Sequence, residues 1–324
     1  MQKDTVTLLV LADPAEPQLK MLDPLRDTTN IVVGQSPELF EQAAPVADAM
    51  LVWSASRSLV QQVFAMAPKL RWVHTRAAGL DTLLFPALVD SPVPLTNSSG
   101  VYSRSLGEFV AAAMLFFAKD FRRMLRNQAA GRWEQFDVEE LHGRTMGIVG
   151  YGDIGRAAAA QAKGLGMQVI ALRRQPDKSR ADSLVDEVLG QSDILELMRR
   201  SDYVVVAAPL TPDTRGLVGA AAIGAMKPSG VLINVGRGPV VDEAGLLAAL
   251  RSKSIRGAAL DVFDQEPLPQ DHPFYAMDNL LLSPHCADHT QTWVDDAMRF
   301  FITNLGCFSR GEALANVVEK RLGY

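Results

Sequence analysis

The apolar residues of this chain fall in short, nearly unbroken runs rather than in alternation with polar ones. Runs occupy residues 6–11, 31–33, 50–53, 70–73 and 93–96, and the stretches 36–44 and 58–67 between them have helical spacing. A strand wetted on one face alternates, whereas a strand covered on both faces reads as continuous apolar sequence. The pattern therefore predicts parallel strands with helices on both sides of a sheet. Residues 105–126 read as one long helix without proline, and 127–143 as a mixed stretch holding Trp133 and Phe136. From residue 145 a second, longer series follows. It predicts strands at 146–149, 167–172, 203–207, 231–234, 257–261 and 280–282, with helices at 153–165, 194–200, 220–225 and 242–251. Helical patterns at 290–305 and 312–322 close the chain.

Composition adds bounds to this α/β picture. A length of 324 residues, at roughly 150 per domain, suggests two domains. With 48% hydrophobic and 21% charged residues the chain can fill sizeable cores. A formal net charge of -5 argues against coating DNA or RNA, which needs a concentrated basic face. Cys286 and Cys307 are too few for a disulfide scaffold or a thiolate zinc site, so both are expected as reduced thiols. The longest apolar run, 109–118, meets Lys119 and Asp120 after ten residues, about half of a membrane span. The chain start carries Asp4 and lacks the apolar segment of a secretory signal. A cytoplasmic protein without membrane or nucleic-acid partners is the expectation.

The first motif with chemistry follows the strand at 146–149. Gly150-Tyr151-Gly152-Asp153-Ile154-Gly155 is a G-x-G-x-x-G sequence opening a helix, with another strand behind it. Gly150 permits the tight turn, Gly152 lets the backbone approach a pyrophosphate, and Gly155 allows close packing of helix on strand. Amides of the helix start, at Asp153 and Ile154, then face the phosphates. A loop preferring NAD places an acid about 20 positions on, to bond the adenosine ribose. Here the second strand ends in Arg173-Arg174-Gln175, and the next acid is Asp177. An arginine at that place pairs with a 2′-phosphate through a charge-assisted fork. NADP(H) is therefore the expected cofactor, with Arg173 or Arg174 in contact and NAD(H) possible. Arg156 either supplies charge to the pyrophosphate or is a surface group.

Three ionisable residues come directly after strands of the second series: Arg237, Glu266 and His285. In an open α/β sheet the ligand crevice lies outside the carboxyl ends of the strands, so residues far apart in sequence can converge there. Hydride transfer between a nicotinamide and a carbonyl needs a proton at the carbonyl oxygen. Histidine, ordinarily titrating near pH 6.5, is suited to supply it. Glu266 would favour and orient the imidazolium, and Arg237 can hold a substrate carboxylate and polarise the adjacent carbonyl. His142 and His272 are expected on the surface, His74 as a possible cleft residue and His289 near the site without a role. His285 and His289 are four apart, but no third ligand is compelling and no metal is expected.

These motifs together resemble the NAD(P)-dependent D-isomer-specific 2-hydroxyacid dehydrogenases, near their glyoxylate/hydroxypyruvate reductases. The resemblance rests on residues 141–155, 209–216, 226–238, 257–267 and 283–285. It implies Arg237 as substrate-binding arginine, Glu266 as partner acid and His285 as general acid/base. It also implies Asp261 at the nicotinamide end, with Pro209, Val235 and Gly236 along the cofactor. Residues 76–81 resemble a loop whose backbone amides grip the substrate carboxylate, here at Ala78 and Gly79. The fold implied is a Rossmann-type nucleotide domain, 104–289, inserted in a flavodoxin-like substrate domain formed by 1–103 and 290–324. A homodimer through the nucleotide domain is implied as well, with Phe116, Phe117, Trp133 and Phe136 as candidate contacts. Two features depart from the family: Arg173 replaces the acid of NAD-preferring members, and Asp288 stands where small residues are usual. The expected activity is NADPH-dependent reduction of glyoxylate or hydroxypyruvate to the D-2-hydroxyacid. A phosphorylated substrate such as D-3-phosphoglycerate would want a basic cluster in the first domain, where Arg57, Lys69, Arg71 and Arg76 look scattered. A non-catalytic dinucleotide sensor would be expected to have lost the acid–base set, which is intact.

Overall fold

The computed structural model describes residues 5–324, so Met1–Asp4, including the charged start noted above, lie outside the described residues. The chain divides into two compact units. One comprises the chain up to Tyr102 together with Thr290–Tyr324, and the other is Ser103–His289.

The first unit contains β1 (Val6–Leu11), β2 (Thr29–Gly34), β3 (Ala49–Val52), β4 (Trp72–Thr75) and β5 (Leu95–Asn97). All pair in parallel in the order β2-β1-β3-β4-β5, the flavodoxin-like arrangement. Successive strand residues point to opposite faces, and both faces are dry. Leu9 and Leu11 join Phe40, Met50, Val63, Val73 and Leu88 in one core. Leu8, Val10, Leu51 and Trp72, also fully buried, occupy the alternate positions. The helix Arg57–Met66 begins because Ser56 accepts a hydrogen bond from the Leu59 amide, and it buries Leu59, Val60 and Val63. The helix Trp293–Arg310 returns to this unit and stacks Phe301 on Trp72, ring centres 5.4 Å apart. The stretch 36–44 forms the short 3-10 turn Pro37–Phe40 rather than a helix and runs into a second, Ala44–Val46, each opening near a proline.

The second unit contains β6 (Thr145–Val149), β7 (Gln168–Leu172), β8 (Glu187–Leu189), β9 (Tyr203–Val206), β10 (Val231–Asn234), β11 (Gly257–Leu260) and β12 (Leu280–Leu282). Their order is β12-β11-β10-β9-β6-β7-β8, all parallel. The chain starts in the middle of this Rossmann-like sheet, runs to one edge, and returns to build the other. The reversal falls between β6 and β9, where open α/β sheets bind ligands. Gly107 of the helix Ser103–Ala118 lies against Ala157 of the helix Asp153–Gly164; a methyl there would approach the Ala157 backbone to 3.0 Å.

Two predicted elements need correction. The single helix over 105–126 is two, Ser103–Ala118 and Phe121–Ala129. Asp120 breaks it by adopting φ 49° and capping the second helix through the Arg123 amide. Residues 312–322 are not a helix: Val317 bridges Thr96 in antiparallel fashion and the Val318 amide donates to Leu95 O. No helix among the described residues is long and apolar enough to cross a membrane.

Candidate active site

The glycine loop sits at the reversal of the second sheet. Gly150 has φ +95°, and a Cβ on it would come within 2.5 Å of the Ala208 backbone just after β9. Gly236, after β10, lies against the same Ala207–Ala208 segment. Gly152 is different: a Cβ there would meet nothing within 4 Å, so the space above it is open. The amino end of the helix Asp153–Gly164 adjoins that space, with Asp153 exposed and Ile154 half-buried. A tight turn, a vacant cradle and helix amides are what a dinucleotide pyrophosphate requires, so the chain fits the cofactor its sequence implies. At the positions expected along the cofactor, Thr214 bonds the Pro209 carbonyl at 2.6 Å, and the Val235 amide donates to Val206 O.

Arg173 and Arg174 follow β7 directly. Arg173 is half-buried and bonds the Ser179 hydroxyl, whereas Arg174 is exposed. Sequence reading missed Asp182, which ties this loop to the glycine turn. Its carboxylate accepts from Tyr151 Oη at 3.0 Å and from Arg156 Nε at 2.8 Å. Burial pushes Asp182 upward, but the Leu184 amide, Arg156 and Tyr151 more than offset it and hold it below the usual carboxylate range. Arg156 is thus engaged with Asp182.

On the other half of the sheet, His285 and Glu266 meet: His285 Nδ1 lies 2.6 Å from Glu266 Oε2. The other Glu266 oxygen accepts from the Phe263 amide at 2.9 Å, which fixes the carboxylate beside the end of β11. His285 itself adopts φ 52°, a left-handed conformation uncommon for a residue with a Cβ. Asp261, 2% exposed, holds that turn in place. Its Oδ1 accepts from Ser283 Oγ at 2.6 Å and from the amides of Cys286 and Ala287 at 2.9 and 3.1 Å. This anchoring was not legible in sequence, since Asp261 reads there as a strand end. Arg237 is half-buried after β10; its carbonyl is held by Asn234, and Gly238 beside it packs on the Phe263 backbone. The Arg237 loop and the Glu266 loop therefore touch.

Asp288 is largely buried, and burial, opposed by His289 and aided by Asp261, pushes its carboxyl upward. His289 lies 3.7 Å from it. In the first unit, Asn97 bonds the Ala78 carbonyl at 2.7 Å, and Ala78 and Gly79 are half-buried. His74 cannot line a cleft: it is 0% exposed, with Nδ1 2.7 Å from Thr96 Oγ1. His272 is no loose surface group either; it accepts from the Phe274 amide and lies 3.4 Å from Glu243. Phe117 is buried in the second unit against Gly257, which removes it from the candidate dimer contacts, whereas Trp133 is 97% exposed. No cluster of three or more metal-ligating side chains occurs among the described residues.

Comparison with known proteins shows the family. Residues 111–287 match the family model "D-isomer specific 2-hydroxyacid dehydrogenase, NAD binding domain". A glyoxylate reductase of Korarchaeum cryptofilum is 34% identical over 268 residues, 81% of this chain and 80% of that protein. A D-3-phosphoglycerate dehydrogenase of Methanocaldococcus jannaschii is 30% identical over 314 residues; the match takes in 96% of this chain but 59% of that longer protein. A D-isomer specific 2-hydroxyacid dehydrogenase of Xanthobacter autotrophicus, solved with NADPH and MES, superposes with TM-score 0.82 at 32% identity, covering 99% of this chain and all of that one. The chain, with its NAD(P)-binding fold, belongs to the D-isomer specific 2-hydroxyacid dehydrogenase family.

Proposed function

We propose that this protein reduces a small 2-oxoacid, glyoxylate or hydroxypyruvate, to the 2-hydroxyacid (achiral glycolate from the first, the D-isomer from the second), with NADPH as the preferred reductant. In this reading the unit Ser103–His289 binds the nucleotide and the other unit binds substrate. The 2.6 Å contact of His285 with Glu266 carries the reading. With Nδ1 committed to the carboxylate, Nε2 is the nitrogen that gives a proton to the substrate oxygen. Glu266, fixed by the Phe263 amide, keeps the ring in one orientation. Arg237 pairs with the substrate carboxylate and polarises the carbonyl next to it, and in the first unit the amides of Ala78 and Gly79 are the substrate-binding groups. When bound, NADPH supplies the hydride that reaches C2. Gly150, Gly152 and Gly155 admit its pyrophosphate, Arg173 and Arg174 meet its 2′-phosphate, and Asp261 lies toward the nicotinamide. The protein forms a homodimer through the second unit, with exposed Trp133 in the contact.

Steady-state assays of glyoxylate, hydroxypyruvate, pyruvate and phenylpyruvate with NADPH and NADH test the reading. The expected result is turnover of glyoxylate and hydroxypyruvate and a preference for NADPH. Absence of turnover on every oxoacid with both cofactors would sink it. Gly152→Val separates cofactor binding from folding, because its side chain meets open space: the fold should survive while NADPH affinity falls. Arg173→Gln with Arg174→Gln should lower the NADPH over NADH preference by roughly tenfold or more, the worth of a charge-assisted hydrogen bond.

A further inference from the structure

The loop between β7 and β8 carries both arginines expected at the 2′-phosphate, and two of its aspartates grip different parts of the second unit. Asp186 fastens the far end of the loop. It accepts from the Val169 amide of β7 at 2.7 Å and from Lys163 Nζ, near the end of the helix Asp153–Gly164, at 2.7 Å. Asp182 reaches the glycine turn instead. Its Oδ1 accepts from the Leu184 amide at 3.1 Å, while its Oδ2 takes Tyr151 Oη at 3.0 Å and Arg156 Nε at 2.8 Å. Tyr151 stands between Gly150 and Gly152, and Arg156 is the fourth residue of the helix behind them.

The grip is passed on to Arg173. The Asp182 amide donates to Ser179 O, and Arg173 Nη1 donates to the hydroxyl of the same buried Ser179. A chain of hydrogen bonds thus runs from the glycine turn through Tyr151, Asp182 and Ser179 to Arg173. Tyr151 is itself buried, which fixes where its hydroxyl ends. Burial, aided by Asp182, pushes that hydroxyl upward, so it stays a donor to the carboxylate. The spacing of the two ends of this chain matters to one ligand more than to another. NADPH presents a pyrophosphate and a 2′-phosphate at a separation set by its own bonds, whereas NADH lacks the second group. Two anion places held at the right separation before binding lose less order when the ligand arrives. By charge alone Asp182 works against an anion, since it repels a phosphate and occupies Arg156.

We propose that Asp182 is a positioning residue for cofactor selectivity: it fixes the separation between the glycine turn and Arg173, and thereby favours NADPH over NADH. This role rests on the cofactor reading above and adds to it a residue that acts through its neighbours, Tyr151 on one side and Ser179 on the other.

Calorimetric titration of the intact protein with NADPH and with NADH, without oxoacid, tests this in the native chain, Asp182→Asn, Tyr151→Phe and Asp186→Asn, with melting temperatures alongside. Asp182→Asn keeps the shape of the side chain and removes its charge. Loss of repulsion alone would tighten NADPH; loss of position should weaken it roughly five- to fiftyfold, part of the worth of charge-assisted bonds, with NADH within about twofold. Tyr151→Phe leaves the charge in place and should shift the preference the same way by less. Asp186→Asn should lower the melting temperature and leave the ratio of the two affinities as it is. NADPH bound equally or more tightly by Asp182→Asn overturns the proposal. So does an equal loss for both cofactors, or the same loss of preference in Asp186→Asn. If the arginine substitutions above erode the preference and Asp182→Asn does not, the cofactor reading stands and this role alone falls. A native chain that binds NADPH no better than NADH sinks the cofactor reading and this role with it, an outcome read before any variant is made.

Discussion

Two histidines stand at the ends of strands, and the fold treats them in opposite ways. His74 lies inside β4, fully buried among Trp72, Phe300 and Phe301, with hydroxyls as its polar neighbours. His285 lies three residues beyond β12, its side chain 44% exposed, with a carboxylate on Nδ1. Burial holds His74 near pKa 3, so it stays neutral and serves packing. His285 keeps access to solvent and an acid that orients it. The residue type is therefore a poor guide to role; the surroundings decide whether an imidazole can exchange a proton with a ligand.

The largest expected effect comes from removing the exposed ring. His285→Asn should lower turnover roughly 10²- to 10⁴-fold, the usual contribution of a positioned general acid, while NADPH still binds. Unchanged turnover would overturn the role given to His285. Next is the pH dependence of stability that His74 imposes. The unfolded imidazole titrates near 6.5 and the folded one near 3, so this contribution is full above pH 6.5. As pH falls from 6.5 toward 3 the unfolded chain gains a proton that the folded one refuses, and stability drops by a few kcal/mol at most. Denaturant unfolding at pH 7 and pH 4.5 should show a smaller acid loss in His74→Gln than in the native chain. A smaller effect is expected for Glu266→Gln, roughly ten- to a hundredfold in kcat, with a changed pH–rate profile and little change in melting temperature. The mildest is Thr96→Val, which removes the hydroxyl from His74 and from Trp72 Nε1 and should cost about 1–3 kcal/mol of stability with turnover intact.

Much of this contrast was open to sequence reading, because local patterns carried it. Continuous apolar runs disclosed both parallel sheets, and the spacing of Gly150, Gly152 and Gly155 disclosed the turn after β6. His285 and Glu266 were legible as a pair because strand ends in such sheets converge. What escaped were features set by contacts between distant residues. Strand β8 is three half-buried residues, Glu187 among them, at a sheet edge, too short and polar to signal itself. The helix break at Asp120 hides because no proline or glycine lies within ten residues of it. Residues 312–322 have a helical pattern, yet Asn316 and Val318 pair with β5 instead. Tyr151 and Asp182 are 31 positions apart, and nothing local tells that they meet.

The division of the first unit between both ends of the chain has a consequence for how the molecule is made. Phe301 is the ring that covers Trp72, and Val318 is the residue whose amide meets Leu95. Both are synthesised after every residue of Ser103–His289. The inserted unit has every strand of its sheet in one continuous stretch and can close its core first. The unit that begins earlier is finished later, and until then the Trp72 face of its sheet is without its cover.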